Sequence, residues 1–155
     1  MRYALTLAVL LGAAPLFGAE NQFSIFGTNL GYVESATMGS RWSGGVGVAF
    51  SRSWNERWST ELAVSDERHS IRVFPVDALA QYRLANSSRW TPYVSMGMRT
   101  VNDVHRRTTG EVGLGTTFRL TDRAGFRLDV MRLLRSDDVS YDPLIRPSFG
   151  FTFKF

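Results

Sequence analysis

From residue 22 onward, apolar positions alternate with small or polar ones. That period of two marks β-strands, whose successive side chains leave opposite faces. It is clearest at the end of the chain, where Phe149, Phe151, Phe153 and Phe155 alternate with Ser148, Gly150, Thr152 and Lys154. No apolar face recurs at helical spacing over a useful length. The alternation predicts eight strands, over residues 22–33, 42–54, 58–65, 71–84, 89–101, 108–120, 125–135 and 147–155. The connections alternate in kind. Residues 34–41, 66–70, 102–107 and 136–145 read as longer polar loops, whereas 55–57, 85–88 and 121–124 are short and turn-like.

Each strand has one apolar face and one small or polar face. Phe26, Thr28, Leu30 and Tyr32 oppose Gly27, Asn29 and Gly31; Val46, Val48, Phe50 and Trp54 oppose Gly45, Gly47, Ala49, Ser51 and Ser53. Strand lengths of about 9–11 residues suit a membrane crossing. Lipid would then meet the apolar faces, and a polar lumen the glycines, serines and alanines. Lipid cannot hydrogen-bond an open sheet edge, so strand one must close on strand eight. The predicted fold is therefore all-β, an eight-stranded antiparallel up-and-down transmembrane β-barrel. Its bore is just wide enough for side chains to fill. Trp54, Trp58, Trp90, Phe126 and Phe155 fall beside the short turns or the C-terminus, where an interfacial aromatic girdle belongs, while Trp42 and Phe74 fall near the opposite rim. Pro75 cannot donate to a ladder and predicts a bulge or strand end.

The N-terminus changes the picture of location. Arg2 precedes the apolar run 4–11 and a small-residue exit through Gly18 and Ala19, which is the pattern of a cleaved secretory signal peptide. The expected organisation is a signal peptide over 1–19 and an outer-membrane barrel domain over 20–155. There is no cysteine, which excludes a disulfide scaffold, a thiolate metal site and a cysteine nucleophile. Net charge is +4, but the cations are spread among acids and form no basic block, so no nucleic-acid partner is expected.

Candidate chemistry lies on the polar faces. Glu61, Asp77, Arg83, Arg99, Glu111, Arg119, Arg127, Asp129 and Lys154 fall on the inward side. Unpaired buried ions are costly, so these predict interdigitated salt bridges plugging the lumen. Arg52 and Arg132 interrupt the outward apolar face. Arg52 lies near Trp54 and can reach the headgroups; Arg132 is placed to meet a lipopolysaccharide phosphate or to snorkel. His69 and His105 fall on loops without ligand spacing, so neither a metal nor a cofactor is expected.

The stretch 74–84 (FPVDALAQYRL), followed by 91–98 (TPYVSMGM), resembles paired central strands of the small OmpA/OmpX-type outer-membrane β-barrel family. The terminal Phe155 resembles that family's C-terminal signal for the outer-membrane assembly machinery. The resemblance implies a monomeric, non-enzymatic integral outer-membrane protein. Its expected partners are outer-membrane lipids, lipopolysaccharide and the assembly machinery, and its expected role is envelope integrity or surface interaction. Two alternatives stand beside it. Residues 68–76 (RHSIRVFPV) resemble a strand of the lipid A 3-O-deacylase family, whose site uses a His-x-Ser pair on the penultimate strand; here that strand reads LDVMRLLR over 128–135, with neither His nor Ser. A soluble periplasmic binder of lipocalin type would turn the apolar face inward, and so would have to house the strand-end tryptophans and the phenylalanine row. If Phe155 is read by the assembly machinery, deleting it should impair assembly in cells more than refolding in detergent. Equal loss in both, followed by heat-modifiable gel mobility, would remove that role.

Overall fold

The computed structural model describes residues 20–33, 40–68, 72–85, 89–101, 107–134 and 143–155. The strands are β1 (Asn21–Val33), β2 (Ser40–Ser53), β3 (Trp58–Arg68), β4 (Arg72–Val73), β5 (Val76–Arg83), β6 (Trp90–Val101), β7 (Arg107–Arg119), β8 (Ala124–Leu133) and β9 (Pro143–Lys154). All pairings are antiparallel, in the order β2, β1, β9, β8, β7, β6, β5, β3, with β3 returning to β2. The sheet is thus a closed barrel. β4 and β5 are two halves of one stave, both paired with β3, so the barrel has eight staves.

The break between β4 and β5 falls at Phe74 and Pro75. Proline has no N–H to give. Its carbonyl still accepts from the Ser65 amide at 3.2 Å, and the register on β3 runs from Val64↔Val76 to Glu67↔Val73 without a slip. Pro147 is accommodated differently. It pairs with Val130 of β8, while on its other side the β1–β9 ladder has no pair between Thr28↔Ser148 and Gly31↔Ile145 and shifts register beyond Gly31.

Short turns are built from side chains that mimic backbone. Asn55 Oδ1 accepts from the Arg57 and Trp58 amides, both at 2.8 Å, and turns β2 into β3. Thr121 Oγ1 accepts from the Ala124 amide at 3.0 Å and from Arg123 at 3.3 Å, and turns β7 into β8. These turns and both ends of the barrel domain lie at one rim, here the turn rim. At that level Trp58 packs on Tyr82, Trp90 on Phe118, Phe126 on Phe151 and Phe50 on Phe155, with ring centroids 4.8–6.3 Å apart. Trp54, Trp58, Trp90 and Phe155 are exposed and Phe126 is half-buried. Phe74 is exposed at the strand break toward the other rim, and the side chain of Trp42 is outside those described.

Seven staves point their apolar side outward, and exposed Val46, Val64, Met96, Leu114, Leu128 and Phe149 make the outer band. β1 departs from the sequence reading. Ser24 (0% exposed) and Thr28 (4%) are buried and Ile25 (53%) is exposed, so the side carrying Phe26 faces the lumen. The cause is cross-strand volume. Phe26 pairs with Gly47 on one side and Gly150 on the other; its ring occupies the space a side chain at Gly47 would need, and its Cα and Cβ crowd the same space at Gly150. On the outside, the ring of Phe149 covers Gly27, where a Cβ would sit 3.3 Å from it. At these two levels large residues lie against glycines, so the wall stays close-packed on both faces.

β3 and β9 also run further than the alternation indicated, to Arg68 and back to Pro143. Glu67 and Arg146 are therefore wall residues. Gly150→Ala should test the closing seam. Its methyl would meet the Ile25 carbonyl oxygen and lie 2.7 Å from Phe26 Cα. We expect a loss of about 1–3 kcal/mol in urea unfolding from micelles, as for other overpacked sites. Gly44→Ala, whose nearest neighbour is the Thr28 carbonyl at 3.9 Å, should stay within about 0.5 kcal/mol.

Candidate functional site in the barrel lumen

Three arginines and five carboxylates from the described strands are buried inside the barrel: Arg99, Arg127 and Arg146 with Glu61, Glu67, Asp77, Glu111 and Asp129. They form two tiers.

The tier nearer the turn rim is centred on Arg127 of β8. Its guanidinium grips Glu61 of β3 through both terminal nitrogens, Nη2 donating to Oε1 at 2.9 Å and Nη1 to Oε2. β3 and β8 are four staves apart in the eight-stave ring, so this pair spans the bore. Nε and Nη2 of the same arginine reach Asp129 at 2.6 and 3.1 Å. Glu61 also accepts from Ser51 at 2.7 Å and Gln81 at 3.2 Å, and Gln81 is held by Ser59 at 3.2 Å. Asp129 accepts from the Tyr93 hydroxyl and, at 3.3 Å, from Ser148. The Tyr93 ring lies 5.7 Å from the Arg127 guanidinium carbon, adding a cation–π contact. Side chains from β2, β3, β5, β6, β8 and β9 thus converge on one arginine.

The second tier lies toward the loops. Arg99 of β6 donates to both oxygens of its neighbour Asp77, each at 3.2 Å, and to Glu67 of β3. Glu67 is also held by Ser65 at 2.9 Å. Arg146 of β9 reaches across four staves to Asp77 at 2.7 Å and sideways to Glu111 of β7 at 2.8 Å. Asp77 is therefore shared by two arginines. Glu111 Oε1 and Arg146 Nε have no hydrogen-bond partner among the described residues. Removing one member of such a buried pair typically costs about 3–5 kcal/mol, because the other charge is left in low dielectric.

Arg83, Arg119 and Lys154 belong to neither tier. Arg83 donates to Ser53 Oγ at 2.6 Å and to the Glu56 carbonyl at 3.4 Å; Lys154 pairs with Glu20 at 2.9 Å; Arg119 is exposed. With Gln22, Thr91 and Thr117 they line a cavity of about 50 Å³ at the turn rim, floored by Arg127 and Tyr93. Glu67 and Arg146 were missed by sequence reasoning. Glu67 hid in the charged run DERHS, and Arg146 stood beside Pro147, where the strand was expected to begin. The two-residue spacing of Glu67 from Ser65, and of Arg146 from Ser148, was the signal that could have found them.

Outside the barrel, Arg52 stacks 5.2 Å from the Trp54 ring centroid and Arg132 is exposed on β8. His69, Ser70, Asp103 and His105 lie outside the described residues. Among the described residues no group of three or more His, Cys, Asp or Glu side chains could hold a metal ion. Residues 128–134 of the penultimate stave contain neither His nor Ser.

No protein-family model matches the chain, and neither does any curated protein. Solved structures do share its architecture. The N-terminal β-barrel domain of Pseudomonas aeruginosa OprF is 14% identical with a TM-score of 0.68, covering 88% of this chain and 97% of that one. A de novo designed transmembrane β-barrel is 12% identical with a TM-score of 0.65, covering 91% and 98%. The outer membrane protein OprG of Pseudomonas aeruginosa is 14% identical with a TM-score of 0.63, covering 89% and 96%. At such identities the likeness is one of architecture, and it gives this chain the eight-stranded transmembrane β-barrel fold of small outer-membrane proteins.

Proposed function

We propose that the chain is a monomeric, non-enzymatic integral outer-membrane protein whose lumen is plugged by its own ion pairs, and that it serves envelope integrity or surface interaction. The observation that carries the reading is the pair of struts across the bore, Arg127 to Glu61 and Arg146 to Asp77. An eight-stave bore has room for packed side chains rather than an aqueous channel. Arginine forks on both struts fix the opposing walls at two heights, since each guanidinium holds its partners in a preset plane.

The exposed apolar band and the aromatic level at the turn rim suit a lipid surround with its interface at that rim. The residue 1–19 pattern supports export through a cleaved signal peptide. In that setting the turn rim faces the periplasm and the loops face outward. The exposure of Phe155 beside Phe50 at the turn rim supports reading it as the signal for the assembly machinery.

Arg132 stands on the outer, lipid-facing side of β8, paired in register with Val112. A lipid-facing arginine costs about 2–4 kcal/mol at the membrane midplane and about 0–1 near an interface. A lipopolysaccharide phosphate would offset that cost, and Arg132→Ala should then lower the lipopolysaccharide that copurifies from membranes. An unchanged yield by mass analysis would remove this contact. For the plug, purified protein in planar bilayers should show no reproducible single-channel conductance. Steady conductance that changes in Glu111→Gln or Arg99→Gln would overturn the plugged lumen.

A further inference from the structure

The cavity at the turn rim has a one-sided chemistry. Twelve of the described residues line it, and none of these is Asp or Glu. Four are cationic: Arg83, Arg119, Lys154 and, at the floor, Arg127; the rest are small, hydroxyl- or amide-bearing, or Tyr93. Arg127 is already committed to Asp129 on its own stave and to Glu61 across the bore, neither of which is among the described lining residues. The other three are not neutralised in the same way. Arg83 donates to a serine hydroxyl and a backbone carbonyl, both uncharged. Arg119 has no side-chain hydrogen bond or ion pair among the described residues. Of these three, among the described residues, Lys154 alone meets a carboxylate, Glu20, and both partners are partly exposed, at 25% and 44%. Like charges gathered round a recess repel one another, and an anion at its centre relieves that repulsion.

We propose that this vestibule binds a small tetrahedral oxyanion of the phosphate class from the aqueous side of the turn rim. Guanidinium forks from β5 and β7 and the ammonium of β9 approach from separate staves. They can engage separate oxygens of one tetrahedral ion, which a planar carboxylate could not satisfy at once. Hydroxyl donors are at hand in Thr91 and Thr117, which stand opposite each other on β6 and β7. The cavity, about 50 Å³ and open at its mouth, leaves room for such an ion to enter from the aqueous side. The site stands on this geometry alone and is independent of whether the lumen is plugged.

The test is a titration of the refolded full chain in maltoside micelles, which carry no phosphate, with inorganic phosphate at ionic strength held constant by chloride. Nitrogen–proton spectra should show saturable shifts at the Thr91 and Thr117 amides. Arg119→Gln and Lys154→Gln should each weaken binding by about tenfold, the usual scale of one lost charge-assisted hydrogen bond. Arg89→Gln, at the same rim but outside the cavity lining, should leave affinity unchanged. Heat-modifiable gel mobility confirms that each variant is folded. The proposal fails if phosphate gives no saturable response, if Arg89→Gln weakens binding as much as Arg119→Gln, or if dihexanoyl phosphatidic acid binds while inorganic phosphate does not.

Discussion

The backbone hydrogen bond that lipid cannot supply governs this structure. A peptide group facing hydrocarbon must find its partner within the sheet, so the sheet has to end where it began. Here the end is the β1–β9 seam, paired from Gln22↔Lys154 to Thr28↔Ser148 before Pro147 interrupts it. Closure fixes the number of staves, and the number of staves fixes the bore. A bore of this width admits side chains in layers, which is why Phe26 needs a glycine on either side and why charges must find partners across it.

The strand count and the outward band were legible because alternation is local. Each of the runs around Val46, Met96 and Phe149 carries its own facing rule, whatever the rest of the chain does. The same rule failed for β1, where Phe26 looked like a lipid-facing residue. Its direction is decided by Gly47 and Gly150, which are near it only after closure. Strand ends were the other loss. Glu67 and Arg146 sit beside residues that ordinarily punctuate structure, a charged run and a proline, and the hydrogen bonds that keep them in the wall come from other staves. The partner choices were not readable at all. Arg127 could have paired with any inward carboxylate, and the stagger of the staves selects Glu61.

Shared architecture carries little of the function. A designed barrel with no biological history overlays this chain about as well as natural outer-membrane proteins do. The wall satisfies demands that any such barrel meets. That architecture leaves open the content of the bore, where among the described residues carboxylates outnumber arginines in the two tiers and cations gather at the turn rim. That arrangement places charge of opposite sign at successive depths along one axis.

The struts also impose an order in time. Arg127 and Glu61 are 66 residues apart, and Arg146 and Asp77 are 69 apart. Neither pair can meet until the last staves have come round to face the first. Until then Glu61 lacks its arginine and needs water, whereas Asp77 and Glu67 can already hold Arg99 of β6. Locking of the walls therefore belongs to the late staves, β8 for the first strut and β9 for the second. A partly built barrel is an open, wet trough, and the same residues that finally brace the cylinder keep it from collapsing before it is whole.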